Sequence, residues 1–105
     1  EKGDKNHALN LAKANYTQRP SGDAAVKLAQ AHLRLGQVTD AHNRIEEIVK
    51  TPFSTPEFHG TASLVYGAIK QSKKAGYHQK EAVKLNPNAL TDLDWLRRSV
   101  ERVTP

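Results

Sequence analysis

The chain has 105 residues, of which 37% are apolar and 26% are charged, and it carries a net charge of +5 and no cysteine. This length suits a single domain, and the composition is too apolar for a disordered charged tail. The lack of cysteine excludes disulfides and thiolate nucleophiles, so stability has to come from packed apolar surface.

A helical pattern of apolar residues runs through the whole chain. Ala8, Ala12 and Tyr16 share one face at helical spacing in the first segment, and no segment shows the sustained alternation of a strand. The sequence therefore predicts an all-α fold of about six helices joined by short connections, which make neighbouring helices antiparallel. In chain order these helices run near residues 4–18, 22–35, 38–50, 56–70, 73–85 and 92–103.

Start and stop signals agree with these helices. Ser21 and Thr55 stand where a side chain would cap a helix, and Pro56 follows in the first turn of the fourth helix. Gly36 stands where a left-handed residue would end the second helix. Two helical hairpins are therefore expected between residues 21 and 88.

The same pattern recurs at a nearly constant interval along the chain. Ala8 recurs as Ala41 and then as Ala75, at positions that we expect to face inward. A proline closes each unit, at Pro20, Pro52 and Pro87. The predicted units within a single domain are residues 1–20, 21–53, 54–88 and 89–105. One hairpin cannot bury its own apolar stripe, so the units have to stack.

At this point the sequence resembles the tetratricopeptide repeat family. The residues that carry the resemblance are Leu28, Ala29, Gly36, Ala41 and Ile48 in one unit, and Tyr66, Ala75, Ala82 and the run Leu85-Asn86-Pro87-Asn88 in the next. It covers roughly residues 3–88 and implies antiparallel helical hairpins stacked as a right-handed superhelix. Lys70 and Gln71 depart from the family pattern, because they stand where the turn glycine is expected.

Both ends suggest an excerpt from a longer array. The chain opens on what matches only the second helix of a unit. At the other end, Thr91 and Asp94 have the spacing of a capping box at the start of a one-sided apolar helix. That helix is expected to be a solvating cap or the first helix of a further unit.

In the family, the first helices of the hairpins line a concave groove that holds a partner. Carried over to this sequence, the groove starts at Asp23 and Glu57, and its partner-binding residues are Val26, Lys27, Gln30, Leu33, Arg34, Gly60, Thr61, Leu64, Gly67 and Ala68. The second hairpin offers no cation to hold a carboxylate terminus, so a chaperone-tail clamp is not expected. The resemblance implies a non-catalytic scaffold that binds a peptide or helix of a partner protein.

Other interpretations stay open. The groove residues alternatively serve internal packing against neighbouring hairpins. The chain is alternatively a single-stranded RNA-binding helical-repeat module, although its basic residues do not cluster on one face, or a structural module that self-associates through its end faces. Trp95 is expected either to pack on the preceding hairpin or to anchor a partner.

No cofactor, metal or catalytic group is expected. The histidines His7, His32, His42, His59 and His78 show no metal-binding spacing. No apolar stretch approaches the roughly 20 residues of a membrane-spanning helix, so membrane insertion is not expected. Without a visible signal peptide, the sequence does not distinguish a cytoplasmic from a periplasmic location.

Overall fold

The computed structural model describes residues 2–103, with side chains from residue 3 to residue 102. Glu1, Thr104 and Pro105, which the predicted terminal units include, lie outside the described residues. The described part contains seven helices and no strand: α1 (Lys2–Gln18), α2 (Gly22–Arg34), α3 (Val38–Val49), α4 (Pro56–Ala68), α5 (Ser72–Leu85), α6 (Ala89–Asp92) and α7 (Asp94–Val103). The predicted all-α fold is confirmed. None of these helices is both long and apolar enough to cross a bilayer.

Helices α2 and α4 begin in the same way. The Ser21 hydroxyl accepts a hydrogen bond from the Ala24 N–H at 3.0 Å, and the Thr55 hydroxyl accepts one from the Phe58 N–H at 3.0 Å. Both predicted caps are therefore present, and each satisfies an N–H that has no partner within its helix. The interval along the chain from the start of α2 to the start of α4 equals the interval between their ends.

The turns that follow α2 and α4 are also equivalent. Their hydrogen bonds run from Gly36 N–H to Leu33 O and from Gln37 N–H to His32 O, and then from Lys70 N–H to Gly67 O and from Gln71 N–H to Tyr66 O. Gly36 has the left-handed conformation that the sequence predicts, with φ 76°, and Lys70 takes the same conformation with φ 63°. Glycine adopts this conformation freely, whereas a side chain crowds it.

Replacing Lys70 with glycine should therefore stabilise the protein. We expect Lys70→Gly to raise the free energy of unfolding by about 1 kcal/mol. Removing the steric crowding of a side chain in the left-handed conformation gains more free energy than the entropy cost of glycine takes away. Thermal and urea unfolding measure the change. The control Lys73→Gly removes the same charge but puts glycine inside α5, and should lower stability by up to about 1 kcal/mol. Equal destabilisation by both variants would contradict the strain at Lys70.

Helix α2 lies at the centre of the packing. It contacts α1, α3, α4 and α7, and every residue from 28 to 33 is buried. Leu28 and Ala31 pack with α1, while Leu33 belongs to the main core shared with the other helices. A helix buried on consecutive residues needs neighbours all round it, because a single partner covers only one stripe.

The recurring alanines differ in their burial. Ala41 is fully buried and Ala75 is 8% exposed, as expected for residues at close helix contacts. Ala8 is only partly buried, and the inward residues of α1 are instead Leu9 and Ala12. The reason is that the backbone of α1 lies close to that of α2 alone among the described helices, so its buried stripe is narrow and points at that neighbour.

The C-terminal segment departs from the prediction of one helix over 92–103. The backbone breaks at Leu93, with φ −102° and ψ 13°, so that α6 and α7 are separate and the described residues form seven helices rather than six. The Asp94 carboxylate accepts hydrogen bonds from Arg97 and Arg98 instead of completing a capping box with Thr91. Within the described residues, the backbone of α7 lies close to α2 and α4 but not to α5, where the next helix of a continuing stack would lie.

Candidate partner-binding surface

The candidate surface is the side of α2 and α4 that carries the ten predicted partner-binding residues, named here the α2/α4 face. Helix α7 lies on it. A Cβ atom built on Gly60 would stand 2.5 Å from Leu93 Cδ1, so the leucine rests directly on the glycine backbone. Leu96 and Val100 follow on the same side of α7 and are buried in the main core. The centre of the predicted groove is therefore covered by the chain itself.

The ten predicted residues of this face differ in how deeply they are buried. Five are buried: Val26, Gln30, Leu33, Gly60 and Thr61. Three are partly buried, namely Arg34, Leu64 and Ala68, and two are exposed, namely Lys27 and Gly67. The residues thus share one face, but its apolar floor is not open to solvent. Whether they contact a partner stays a prediction.

A polar cluster links α2 to α4 near one end of the face. Gln30 Nε2 donates to Glu57 Oε2 at 2.8 Å and to Thr61 Oγ1 at 3.0 Å, and Lys27 Nζ pairs with Glu57 at 2.7 Å. Burial acts to raise the pKa of Glu57, but hydrogen bonds from Lys27 and Gln30 outweigh it and hold that pKa below its usual value. The carboxylate is therefore ionised and fixed between the two helices.

An open cleft of about 450 Å³ remains beside this cluster. Its lining includes Asp23, Lys27 and Glu57 from the two first helices, and Asp92 and Trp95 from the C-terminal segment. Trp95 is 46% exposed, so its indole offers both an apolar surface and a free edge at the rim. The cleft can hold a side chain or a turn of a bound peptide.

Trp95 contacts Arg34 of α2, in the first complete hairpin, and it also lines the cleft beside Pro56 and Glu57 of the preceding hairpin. The Arg34 guanidinium carbon lies 5.9 Å from the centre of its ring, within the range of a cation–π contact. Arg34 Nε is buried and has no hydrogen-bond acceptor in the described part of the chain. An unsatisfied donor of this kind costs free energy, because the group has lost water without gaining a partner.

A second polar group lies between α4 and α5. His59 Nδ1 and His78 Nδ1 are 2.9 Å apart, and Ser54 Oγ lies 2.8 Å from His59 Nε2. The His78 ring stacks on Tyr66 with 9° between the ring planes. One Nδ1 must donate and the other accept, so at least the accepting imidazole is neutral. No repeat signal in the sequence pointed to His78.

The environment keeps both imidazoles neutral. Burial lowers the pKa of His59. Burial, and after it the nearby His59, lower the pKa of His78 to about 4, with Lys74 acting in the same direction and Glu81 against it. In the unfolded chain each imidazole titrates near its ordinary value, so the unfolded state binds more protons below about pH 6.5.

Stability should consequently fall in mild acid. The contribution of His78 is fully present above about pH 6.5 and is lost as the pH falls towards 4, amounting to about 2–3 kcal/mol over that window. Urea unfolding at a series of pH values measures it. We expect His78→Phe, which keeps a ring against Tyr66, to flatten this dependence, and the exposed control His7→Gln to retain it. An unchanged slope in His78→Phe would refute the assignment.

Substitutions at two glycines of α4 test directly whether the segment of Leu93 and α7 packs on this helix. A Cβ atom on Gly67 meets nothing within 4 Å, so Gly67→Ala should raise the free energy of unfolding by about 0.5–1 kcal/mol through helix propensity. The free energy of unfolding of Gly60→Ala should be lower than that of Gly67→Ala by about 1 kcal/mol or more, because the new Cβ displaces Leu93. Its Trp95 emission should also shift to the red. Equal stabilisation by both substitutions would show that Leu93 does not rest on Gly60.

Within the described residues, no three His, Cys, Asp or Glu side chains come together in a way that could hold a metal ion. Comparison of the chain with family models, with curated proteins and with solved structures finds no match. The geometry of the α2/α4 face is therefore what bears on function. What that face offers chemically is apolar contact, an ionised carboxylate and an arginine with an unused donor.

Proposed function

We propose that the chain is a non-catalytic scaffold that binds an amphipathic helix or peptide of a partner protein on the α2/α4 face. One observation carries the proposal: α7 is itself an amphipathic helix, and it lies across α2 and α4 through Leu93, Leu96 and Val100. A surface that accepts one such helix has the shape and apolar character to accept another of the same pattern.

The proposal includes a tetratricopeptide-like architecture. The caps, bounds and following turns of α2 and α4 all repeat at one common interval, which matches the length of that family's unit. The fully buried Ala29, Ala41, Ala62 and Ala82 allow close approach of the helix backbones. A right-handed stack of such hairpins would leave the first helices on its concave side, where the family holds its partners.

Both ends of the face offer contacts that α7 does not bury. Lys27, Glu57 and Trp95 surround the cleft at one end. Gly67 is exposed at the other end, next to the partly buried Leu64 and Ala68. Small residues there let a partner backbone approach closely, and the charged cluster would fix its direction. The buried Val26 and Leu33 would support this surface from below.

Selection from a displayed library of helical peptides tests the function. We expect selected sequences to share apolar residues at positions i, i+3 and i+7, the spacing of Leu93, Leu96 and Val100, and to shift amide resonances of α2 and α4. Gly67 is exposed and a Cβ atom built on it meets nothing within 4 Å among the described residues, so Gly67→Glu should keep the fold and weaken binding by about tenfold or more through desolvation of the new charge. Gly76→Glu changes a helical glycine of α5 whose Cβ would likewise meet nothing within 4 Å among the described residues, so it is the matched control and should bind normally.

Two outcomes would contradict this function. One is the recovery of no saturable binder. The other is a set of binders that shift resonances of α1 or α5 and bind Gly67→Glu as well as they bind the unmodified chain.

Self-association is a second candidate, favoured by a separate observation. Val83 of α5 and Leu90 of α6 are exposed beside a shallow depression of about 530 Å³ that Lys80 and Lys84 also line. Sedimentation over a range of concentrations should then show reversible association that Val83→Asp removes. A monomer at every concentration would eliminate this candidate.

A further inference from the structure

We infer that α7 is a displaceable occupant of the α2/α4 face, and that the partner helix which replaces it carries a carboxylate that pairs with Arg34. This inference rests on the proposed function and goes further in two respects. It says that the partner competes with a segment of the chain, and it names the charge of the partner at one position. Three features of the structure carry it.

The first feature is the way α7 is attached. Its apolar contact with the face is made by Leu96 and Val100, which are 0% and 6% exposed, and is continued by Leu93 just before the helix, which is 7% exposed. Its ion pairs are internal: Asp94 pairs with Arg97 and Arg98, and Arg97 also pairs with Glu101. Among the described residues, no ion pair joins α7 to α2 or α4. The helix therefore keeps all of these ion pairs when it leaves, and gives up mainly apolar contact.

The second feature is a hinge. Only Leu93 separates α6 from α7, and its N–H bonds to Leu90 O at 3.3 Å in a turn rather than in a continuous helix. α6 packs against α4 and α5, whereas the backbone of α7 does not come close to α5 within the described residues. Rotation at Leu93 thus moves α7 as a unit and leaves the α4/α5 pair and α6 in place.

The third feature is the unsatisfied donor under α7. Arg34 Nε is buried and finds no acceptor among the described residues, and the Trp95 ring of α7 lies 5.9 Å from the guanidinium carbon. The acidic residues of α7 that the structure describes, Asp94 and Glu101, are committed to its own arginines. A competing helix with glutamate in the position of Trp95 would give Arg34 a charge-assisted hydrogen bond that α7 does not supply.

The expected occupant therefore has a definite pattern. It is an amphipathic helix with apolar residues at i, i+3 and i+7, as in Leu93, Leu96 and Val100, and an acidic residue at i+2. Because α7 is tethered to the same chain, it is present at a high effective concentration beside the face. The partner helix has to bind the face more tightly than α7 by enough free energy to overcome this tethering. The Arg34 contact provides that advantage.

The experiment uses the full chain and a synthetic peptide of residues 91–103 that carries Trp95→Glu. Trp95 is the only tryptophan of the chain, so its emission reports the position of α7 without interference from the peptide. We expect a saturable red shift as the peptide displaces α7. The matched control peptide with Trp95→Ala should bind about tenfold more weakly or worse, because it offers Arg34 no acceptor.

Two substitutions in the chain complete the test. Leu96→Ala loosens α7 and should tighten binding of the glutamate peptide by about tenfold or more, because the competitor is weaker. If circular dichroism shows that this variant does not fold, Val100→Ala takes its place. Arg34→Gln should erase the preference for the glutamate peptide over the alanine peptide.

The outcomes separate this inference from the function on which it rests. A peptide that shifts α2 and α4 resonances while Trp95 emission stays constant would overturn displacement but leave the proposed function standing. If Leu96→Ala binds the glutamate peptide no more tightly than the unmodified chain does, displacement would likewise be overturned. An equal preference for glutamate in Arg34→Gln would overturn the role of the carboxylate. Failure of every peptide to bind, together with failure of the library selection, would overturn both proposals.

Discussion

The structure depends on covering α2 on every side. Residues 28–33 of this helix are buried one after another, which no single neighbour can achieve, since a helix partner covers only a stripe. α1 covers the side with Leu28 and Ala31, α3 and α4 cover two further sides, and α7 closes the last. The position of α7 is therefore a packing requirement of α2, and the same requirement makes the α2/α4 face attractive to any helix with a suitable apolar stripe.

This constraint explains why the covering helix is both needed and replaceable. Burying a side chain such as Leu96 contributes about 1.5–3 kcal/mol, and that contribution is non-directional, so it does not demand one particular helix. The hydrogen bonding in this contact is incomplete, because no described residue accepts from Arg34 Nε while α7 lies on the face. The polar cluster of Gln30, Glu57 and Thr61 holds α2 and α4 together independently of α7. The face therefore keeps its shape when its occupant changes.

Local features were predictable from the sequence because their causes are local. The caps at Ser21 and Thr55 and the left-handed Gly36 depend on residue types within one turn, and the buried Ala41 and Ala75 follow from helical spacing. The place of α7 was not predictable, since an apolar stripe says that a helix needs a partner but not which one. The break at Leu93, the orphaned Arg34 and the His59–His78 pair all follow from tertiary contacts that have no signature at short range.

The binding surface depends most on the segment formed by Leu93 and α7 lying on the α2/α4 face in solution. The most direct measurement is the nuclear Overhauser effect between the Leu93 methyl groups and the α-protons of Gly60, in chain labelled at both residues. The structure predicts a strong cross-peak, because Leu93 Cδ1 occupies the space beside the glycine where a Cβ would stand. Absence of that cross-peak, with Leu93 methyl shifts at their unfolded values, would contradict the account.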